Sequence, residues 1–137
     1  MSWKTVAAVV TARPFHQSYP GRVHGGVITA LLDETIGRAV NILEPEAWGV
    51  TAELKTRYKK PVPYGVPLIV TGRLTANNRR MFTGTGEIIL PSGEIAATAE
   101  GTYVKMKLSN ISDFNASGDD WRVYPSADDP EYIDVPE

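Results

Sequence analysis

Residues 21–43 read GRVHGGVITALLDETIGRAVNIL, the longest clean helical pattern in the chain. Ile28, Leu31, Leu32, Ile36, Ala39, Val40 and Leu43 recur at the i, i+3, i+4, i+7 spacing of one buried face. The pattern predicts a helix from Gly25 or Gly26 to about Leu43, stopped by Pro45. Asp33 falls about 100° round from the middle of the apolar face. Its own stripe is Gly26, Ala30 and Gly37, all small, so a backbone or a ligand can come close to the carboxylate. His24-Gly25-Gly26 precedes the helix. Glycines there permit close approach, and first-turn N–H groups, lacking an intrahelical partner, stabilise negative charge. Anion-stabilising N–H groups followed two turns later by a carboxylate suit hydrolysis of an acyl group.

Outward from this helix the pattern changes to strands. Residues 4–11 (KTVAAVVT) are β-rich and apolar, and residues 12–22, with Pro14, Pro20 and Gly21, form a loop. Residues 50–60 alternate: Val50, Ala52, Leu54, Thr56 and Tyr58 on one face, Thr51, Glu53, Lys55, Arg57 and Lys59 on the other. A turn at 61–67 (PVPYGVP), a strand at 67–76, a turn at Asn77-Asn78-Arg79-Arg80 and a strand at 81–90 follow, with Gly84 and Gly86 marking a bulge or bend. Pro91-Ser92-Gly93 turns the chain into a last strand over 94–108. One strand, a long helix and four strands in hairpin succession make an α+β layer architecture. A single helix covers one sheet face only partly, so dimerisation is expected.

The chain has 137 residues, enough for one domain with its own core. Cysteine is absent, which excludes disulfides, thiolate metal sites and a cysteine nucleophile. The first residues lack a signal-peptide apolar region, and no run approaches the roughly 18 apolar residues of a membrane span. A soluble cytoplasmic protein without membrane attachment is the expectation. Charge is uneven: residues 110–137 hold eight acids and one base, a net of −7, against +5 for residues 1–109. The expected division is a domain over 1–109 and an acidic, largely irregular tail over 110–137, with Trp121, Val123, Tyr124 and Tyr132 as anchor points. The tail is either solvated or packed on a basic groove. A mildly basic body suits a phosphate-bearing small molecule better than nucleic acid.

Asp33 is the leading candidate for chemistry, either as general base or by direct attack. Glu34 lies almost opposite the apolar face and reads as a solvated acid. Gly25 is both a turn glycine and a candidate oxyanion donor. There is no G-x-S-x-G, and two histidines (His16 and His24) are too few for a zinc site without cysteine, so no metal is expected. His24 is then a carbonyl contact or a support, not the base. Thr51, on the polar face of its strand, reads by itself as a β-propensity threonine. Arg79 and Arg80, two arginines at one turn, are candidates to grip phosphate ahead of Arg57, Lys59 and Lys60.

Tyr19-Pro20-Gly21-x-Val23-His24-Gly25-Gly26, then Leu31-Leu32-Asp33-Glu34, Gly49-Val50-Thr51-Ala52-Glu53-Leu54, Tyr58, Pro61, Ser92-Gly93 and the stretch 97–104 resemble hotdog-fold acyl-CoA thioesterases of the phenylacetate-pathway and THEM-type branch. The resemblance spans roughly residues 5–106, and the His-Gly-Gly with an acid nine residues after the histidine is its most specific part. It implies a hotdog fold, one long central helix wrapped by an antiparallel sheet of five or six strands, paired into a homodimer and often a tetramer. Acyl-CoA would bind at the subunit interface, with CoA entering as part of the substrate and no separate cofactor. The Asp33 position would supply nucleophile or general base, the Gly25 N–H would polarise the thioester carbonyl, and Thr51 would assist the carboxylate, in several members from the opposite subunit. Gly26 and Ser18 would lie against the substrate. Several members carry an amide side chain where this chain has Ser18, with Gln17 beside it. The expected activity is acyl-CoA hydrolysis. The alternatives are a non-catalytic acyl-CoA-binding module, which the Ser18 departure keeps open, and a hotdog dehydratase, which the His24–Asp33 spacing does not resemble.

Overall fold

The two periodicities of the sequence become one helix lying on one antiparallel sheet. The computed structural model describes residues 5–107 and 124–136. Its elements are β1 (Thr5–Thr11), α1 (Gly25–Arg38), β2 (Trp48–Tyr58), β3 (Pro67–Asn77), β4 (Met81–Ile89) and β5 (Ile95–Met106). The helix closes in a tighter 3-10 turn over Ala39–Ile42. The buried stripe is therefore Ile28, Leu32, Ile36, Ala39 and Val40, whereas Leu43, expected to continue it, is 40% exposed.

Strand order is β1-β3-β4-β5-β2, every pairing antiparallel. Hairpin succession holds from β3 to β5 and fails at β2, which pairs with β5 and not with β3. The proline-rich segment after β2 is thus a crossover to the far side of the sheet, not a hairpin turn. Eight residues reach about 27 Å when extended, ample for three strand spacings of about 4.8 Å each. Val62 anchors the crossover in the core, and its carbonyl accepts the Val23 N–H at 2.8 Å.

The core forms between α1 and the sheet face carrying Leu68, Val70, Leu74, Phe82, Ile88, Ala97, Ala99 and Tyr103. Gly86 keeps regular register, whereas Gly84 stands opposite the β3 bulge, where Leu74 pairs with Gly84 and Ala76 with Thr83. A Cβ on either glycine would come within 2.8 Å of the Ile36 side chain, and one on Gly72 would overlap the Thr35 carbonyl. These glycines form a seat on which the middle of α1 rests. The other bulges lie at Thr51/Glu53 and Ile88/Ile89.

The expected boundary near residue 109 lies outside the described residues, as do Trp121 and Val123. Tyr124 and Tyr132 are 67% and 78% exposed and anchor nothing by burial; Ile133 and Val135 are the partly buried side chains of that stretch. No helix among the described residues is long and apolar enough to cross a membrane.

Candidate active site

The start of α1 is built by His24. With φ −59° and ψ 137° it is the N-cap, and its Nδ1 accepts the Gly26 N–H at 2.8 Å. The usual N-cap acceptor is an oxygen of Ser, Thr, Asp or Asn; an unprotonated imidazole nitrogen does the same work here. Its carbonyl accepts from Val27 and Ile28, so the next two N–H groups are also taken. The Gly25 N–H alone in that first turn has no partner among the described residues. The Tyr58 hydroxyl donates to the Gly25 carbonyl at 2.8 Å and stands 2.7 Å from the Thr29 hydroxyl. Cap and tyrosine together fix the Gly25–Gly26 peptide, the one that follows the His24–Gly25 peptide carrying the free N–H. Gly25 lines a hollow of about 340 Å³ together with Ser18, Arg22, Tyr58, Lys59 and Lys60 among others. Gln17 is not part of that lining, and Lys60 is ion-paired to Glu94.

Two turns on, Asp33 is held by two donors from the sheet. Thr51 Oγ1 donates to Asp33 Oδ1 at 2.9 Å. The Tyr103 hydroxyl donates to the same oxygen at 3.0 Å and lies 3.1 Å from the Asp33 carbonyl. Thr51 and Tyr103 are cross-strand partners of β2 and β5. Simple alternation puts Thr51 on the face away from Leu54, Thr56 and Tyr58, yet all four turn toward α1: Leu54 packs on the core, Thr56 accepts from Thr29, and Tyr58 reaches Gly25. The cause is the bulge at Ala52, since pairing runs Thr51↔Tyr103 and then Glu53↔Thr102. An extra residue reverses which side chains face the helix. Thr51 is therefore not on the Glu53–Lys55 face.

Tyr103 is 2% exposed and stacks on Phe82 with ring centroids 4.9 Å apart. Burial first, and then the charge of Asp33 and the hydrogen bond to it, pushes its hydroxyl well above the ordinary phenol range, so it remains a neutral donor. Asp33 and Tyr103 open on a cleft of about 500 Å³ whose walls include Gly37, Asn41, Trp48 and Gly49. Glu34 accepts from Arg38 at 2.8 Å on its exposed rim.

Within one chain these two halves do not meet. Gly25 and Asp33 are eight residues apart on α1, about 12 Å at 1.5 Å per residue. They belong to separate hollows. Ser18 and Gly25 share one, Thr51 and Asp33 the other, and Gly26 spends its N–H on His24. Arg79 and Arg80 stand at the β3–β4 turn and line neither; Arg22, Lys59 and Lys60 are the cations beside Gly25. Among the described residues no three His, Asp or Glu side chains gather as a metal site. Tyr103, which sequence reasoning missed, is 70 residues from Asp33, and only strand register brings it there.

The chain is similar to known thioesterases. It is 35% identical over 72 residues to the acyl-coenzyme A thioesterase THEM4 of Xenopus laevis, covering 51% of this chain and 31% of that protein. A crystal structure of a thioesterase superfamily protein aligns with TM-score 0.66 and 39% identity over 74% of this chain and 49% of that one. The protein smu.793 of Streptococcus mutans, solved bound to acetyl CoA, shares the fold with TM-score 0.69 at 21% identity, over 76% of this chain and 82% of its own. The chain spans between 31% and 59% of the length of the first curated relatives it matches. One helix on a five-stranded antiparallel sheet is the hotdog arrangement of these structures. The family model of the thioesterase superfamily matches residues 20–97, more than half of the chain, and the chain belongs to that superfamily.

Proposed function

We propose that the protein is an acyl-CoA thioesterase that works as a homodimer, with Asp33 of one copy and Gly25 of the other acting on one thioester. The observation that carries this is the pairing of an unpartnered N–H at the start of α1 with a carboxylate two turns on, too distant to serve one carbonyl in one chain. β2 is an edge strand of 11 residues, with one side of its backbone unpaired among the described residues. It runs beside α1 in the opposite sense: Thr51 lies at Asp33, Thr56 at Thr29 and Tyr58 at Gly25. A second copy pairing antiparallel along β2 reverses that order, so its Tyr58 and Gly25 arrive near the first copy's Thr51 and Asp33. Two equivalent sites result, and the edge is covered.

In each, the Gly25 N–H and the positive end of the α1 dipole face the developing oxyanion. Asp33 either deprotonates an attacking water or adds to the acyl carbon, giving an anhydride that water then opens; both routes end in a carboxylic acid and free CoA. His24 serves by holding the Gly25–Gly26 turn. Ser18 takes the place at the substrate that an amide fills in several related enzymes, and Arg22 and Lys59 face the phosphates. The chemistry requires no metal or redox group, and we assign it to the cytoplasm. Similarity to acyl-CoA thioesterases, and acetyl CoA bound in a protein of the same fold, support the substrate class.

The test is free-thiol release from a panel of aromatic, medium-chain and long-chain acyl-CoAs, with Asp33→Asn and Asp33→Ala beside the wild type. Turnover of at least one class, lost in both variants, is the expected result. Binding without turnover by the wild type points instead to an acyl-CoA-binding module. Full activity in Asp33→Asn removes Asp33 from the chemistry and makes Glu34 next.

A further inference from the structure

Asp33 carries its two donors unevenly. Thr51 and Tyr103 both reach Oδ1, and Oδ2 has no hydrogen-bond partner among the described residues. The space that makes this possible is unusual for so large a side chain. The Tyr103 ring lies back along β5 over Gly101, where a Cβ would come within 2.6 Å of it. Across from it, a Cβ at Gly37 of α1 would meet the ring edge at ordinary van der Waals distance. A Cβ at Gly49 would strike Phe82, on which the tyrosine stacks. Gly101 thus makes room for the ring and Gly49 for the Phe82 on which it stacks, and among the described residues the hydroxyl at the ring's end bonds to Asp33 alone. Ring stacking and burial alone are satisfied by phenylalanine. The hydroxyl needs another explanation, because a buried phenol is costly unless it is hydrogen-bonded.

We infer that Tyr103 is a positioning residue of the site: with Thr51 it pins Asp33 Oδ1, fixes the carboxylate rotamer, and leaves Oδ2 as the oxygen that attacks or takes the proton. The assignment rests on the reading of Asp33 as the reacting carboxylate. A single anchor leaves a carboxylate free to rotate about its Cβ–Cγ bond, exchanging its two oxygens. Two donors from adjacent strands, one of them locked by packing, restrain that rotation. Because the phenol remains neutral, it steadies the anion without competing as an acid. Preorganisation of this kind acts on the chemical step more than on substrate affinity.

The test is Tyr103→Phe, which keeps the stack on Phe82 and removes only the hydroxyl. Expected is a fall in kcat on the order of 10- to 100-fold, the cost of a lost hydrogen bond to a charged group, with KM changed less than about twofold. A merely structural tyrosine does not give that split. The companion measurement is a thermal-melt cycle of Tyr103→Phe, Asp33→Ala and the double variant. Shifts that fail to add show that the hydroxyl acts through the carboxylate. Wild-type kcat in Tyr103→Phe, equal losses appearing in KM, or additive melting shifts overturn the assignment. A wild type that hydrolyses no thioester overturns the proposed function instead, and the melt cycle then decides on Tyr103 by itself.

Discussion

The His24 cap makes a prediction that separates a supporting histidine from a reacting one. Its Nδ1 accepts the Gly26 N–H at 2.8 Å, at an exposed helix start where water replaces part of what is lost. Replacing the cap by alanine costs about 1 kcal/mol. For a chain of this size that is a fall of about 4 °C in Tm. The kinetic effect is larger in kind, because the cap holds the turn from which the Gly25 N–H projects. Removing one oxyanion donor outright costs about 10²–10³-fold in kcat; loosening its aim should cost less, about tenfold. Asparagine is among the best N-cap residues and offers an acceptor oxygen in the same backbone region, but cannot act as a base. The expected order is therefore wild type, then His24→Asn close behind, then His24→Ala slow and less stable. Circular-dichroism melts and steady-state thiol release on the best acyl-CoA measure both. If His24→Asn retains the wild-type Tm and is as inactive as His24→Ala, the imidazole itself takes part in the reaction and the capping argument is refuted.

Two further outcomes follow from the fold. Gly72→Ala places a methyl into the Thr35 carbonyl, a backbone contact that no rotamer change relieves; a loss of about 3 kcal/mol, or roughly 10 °C in Tm, should appear in the melt. A shift under about 2 °C means that α1 does not rest on the β3 glycine. The Glu44 carboxyl is held below its ordinary value of 4.5, chiefly by its hydrogen bond from Lys105 and next by Asn77, against a smaller opposing effect of burial. Its contribution to stability is present above pH 4.5 and is lost as pH falls through the lower folded-state value. Glu44→Gln should therefore flatten the decline of Tm on acidification below pH 4.5, modestly because the pair is partly exposed; an unchanged slope rules the pair out as a source of acid sensitivity.

How much of this was legible in the chain follows from the range over which each feature is decided. The α1 stripe, the strand alternation, the glycine-bearing helix start and the acid on its flank are all local, set by 3.6- and 2-residue periods and by capping chemistry. They brought Gly25, His24 and Asp33 into view, and the helix rise alone separates Gly25 from Asp33 by about 12 Å. The side of β2 that carries Thr51 was not legible, because one unpaired residue at Ala52 reverses the face of every position beyond it. Nor was β2 pairing with β5, since alternation states that a strand exists and not which neighbour it takes. Arg79 and Arg80 looked like a phosphate grip as a dipeptide; the β3–β4 turn puts them outside both hollows, while the crossover after β2 puts Lys59 beside Gly25. Tyr103 is the clearest case. Nothing in GTYVK marks a tyrosine that serves an aspartate 70 residues earlier. Its place depends on cross-strand register with Thr51 and on the room that Gly101 leaves for its ring and Gly49 for Phe82. Local periodicity determined which elements form and which residues are candidates for chemistry. Register and close packing, which depend on contacts distant in sequence, decided which of those residues meet.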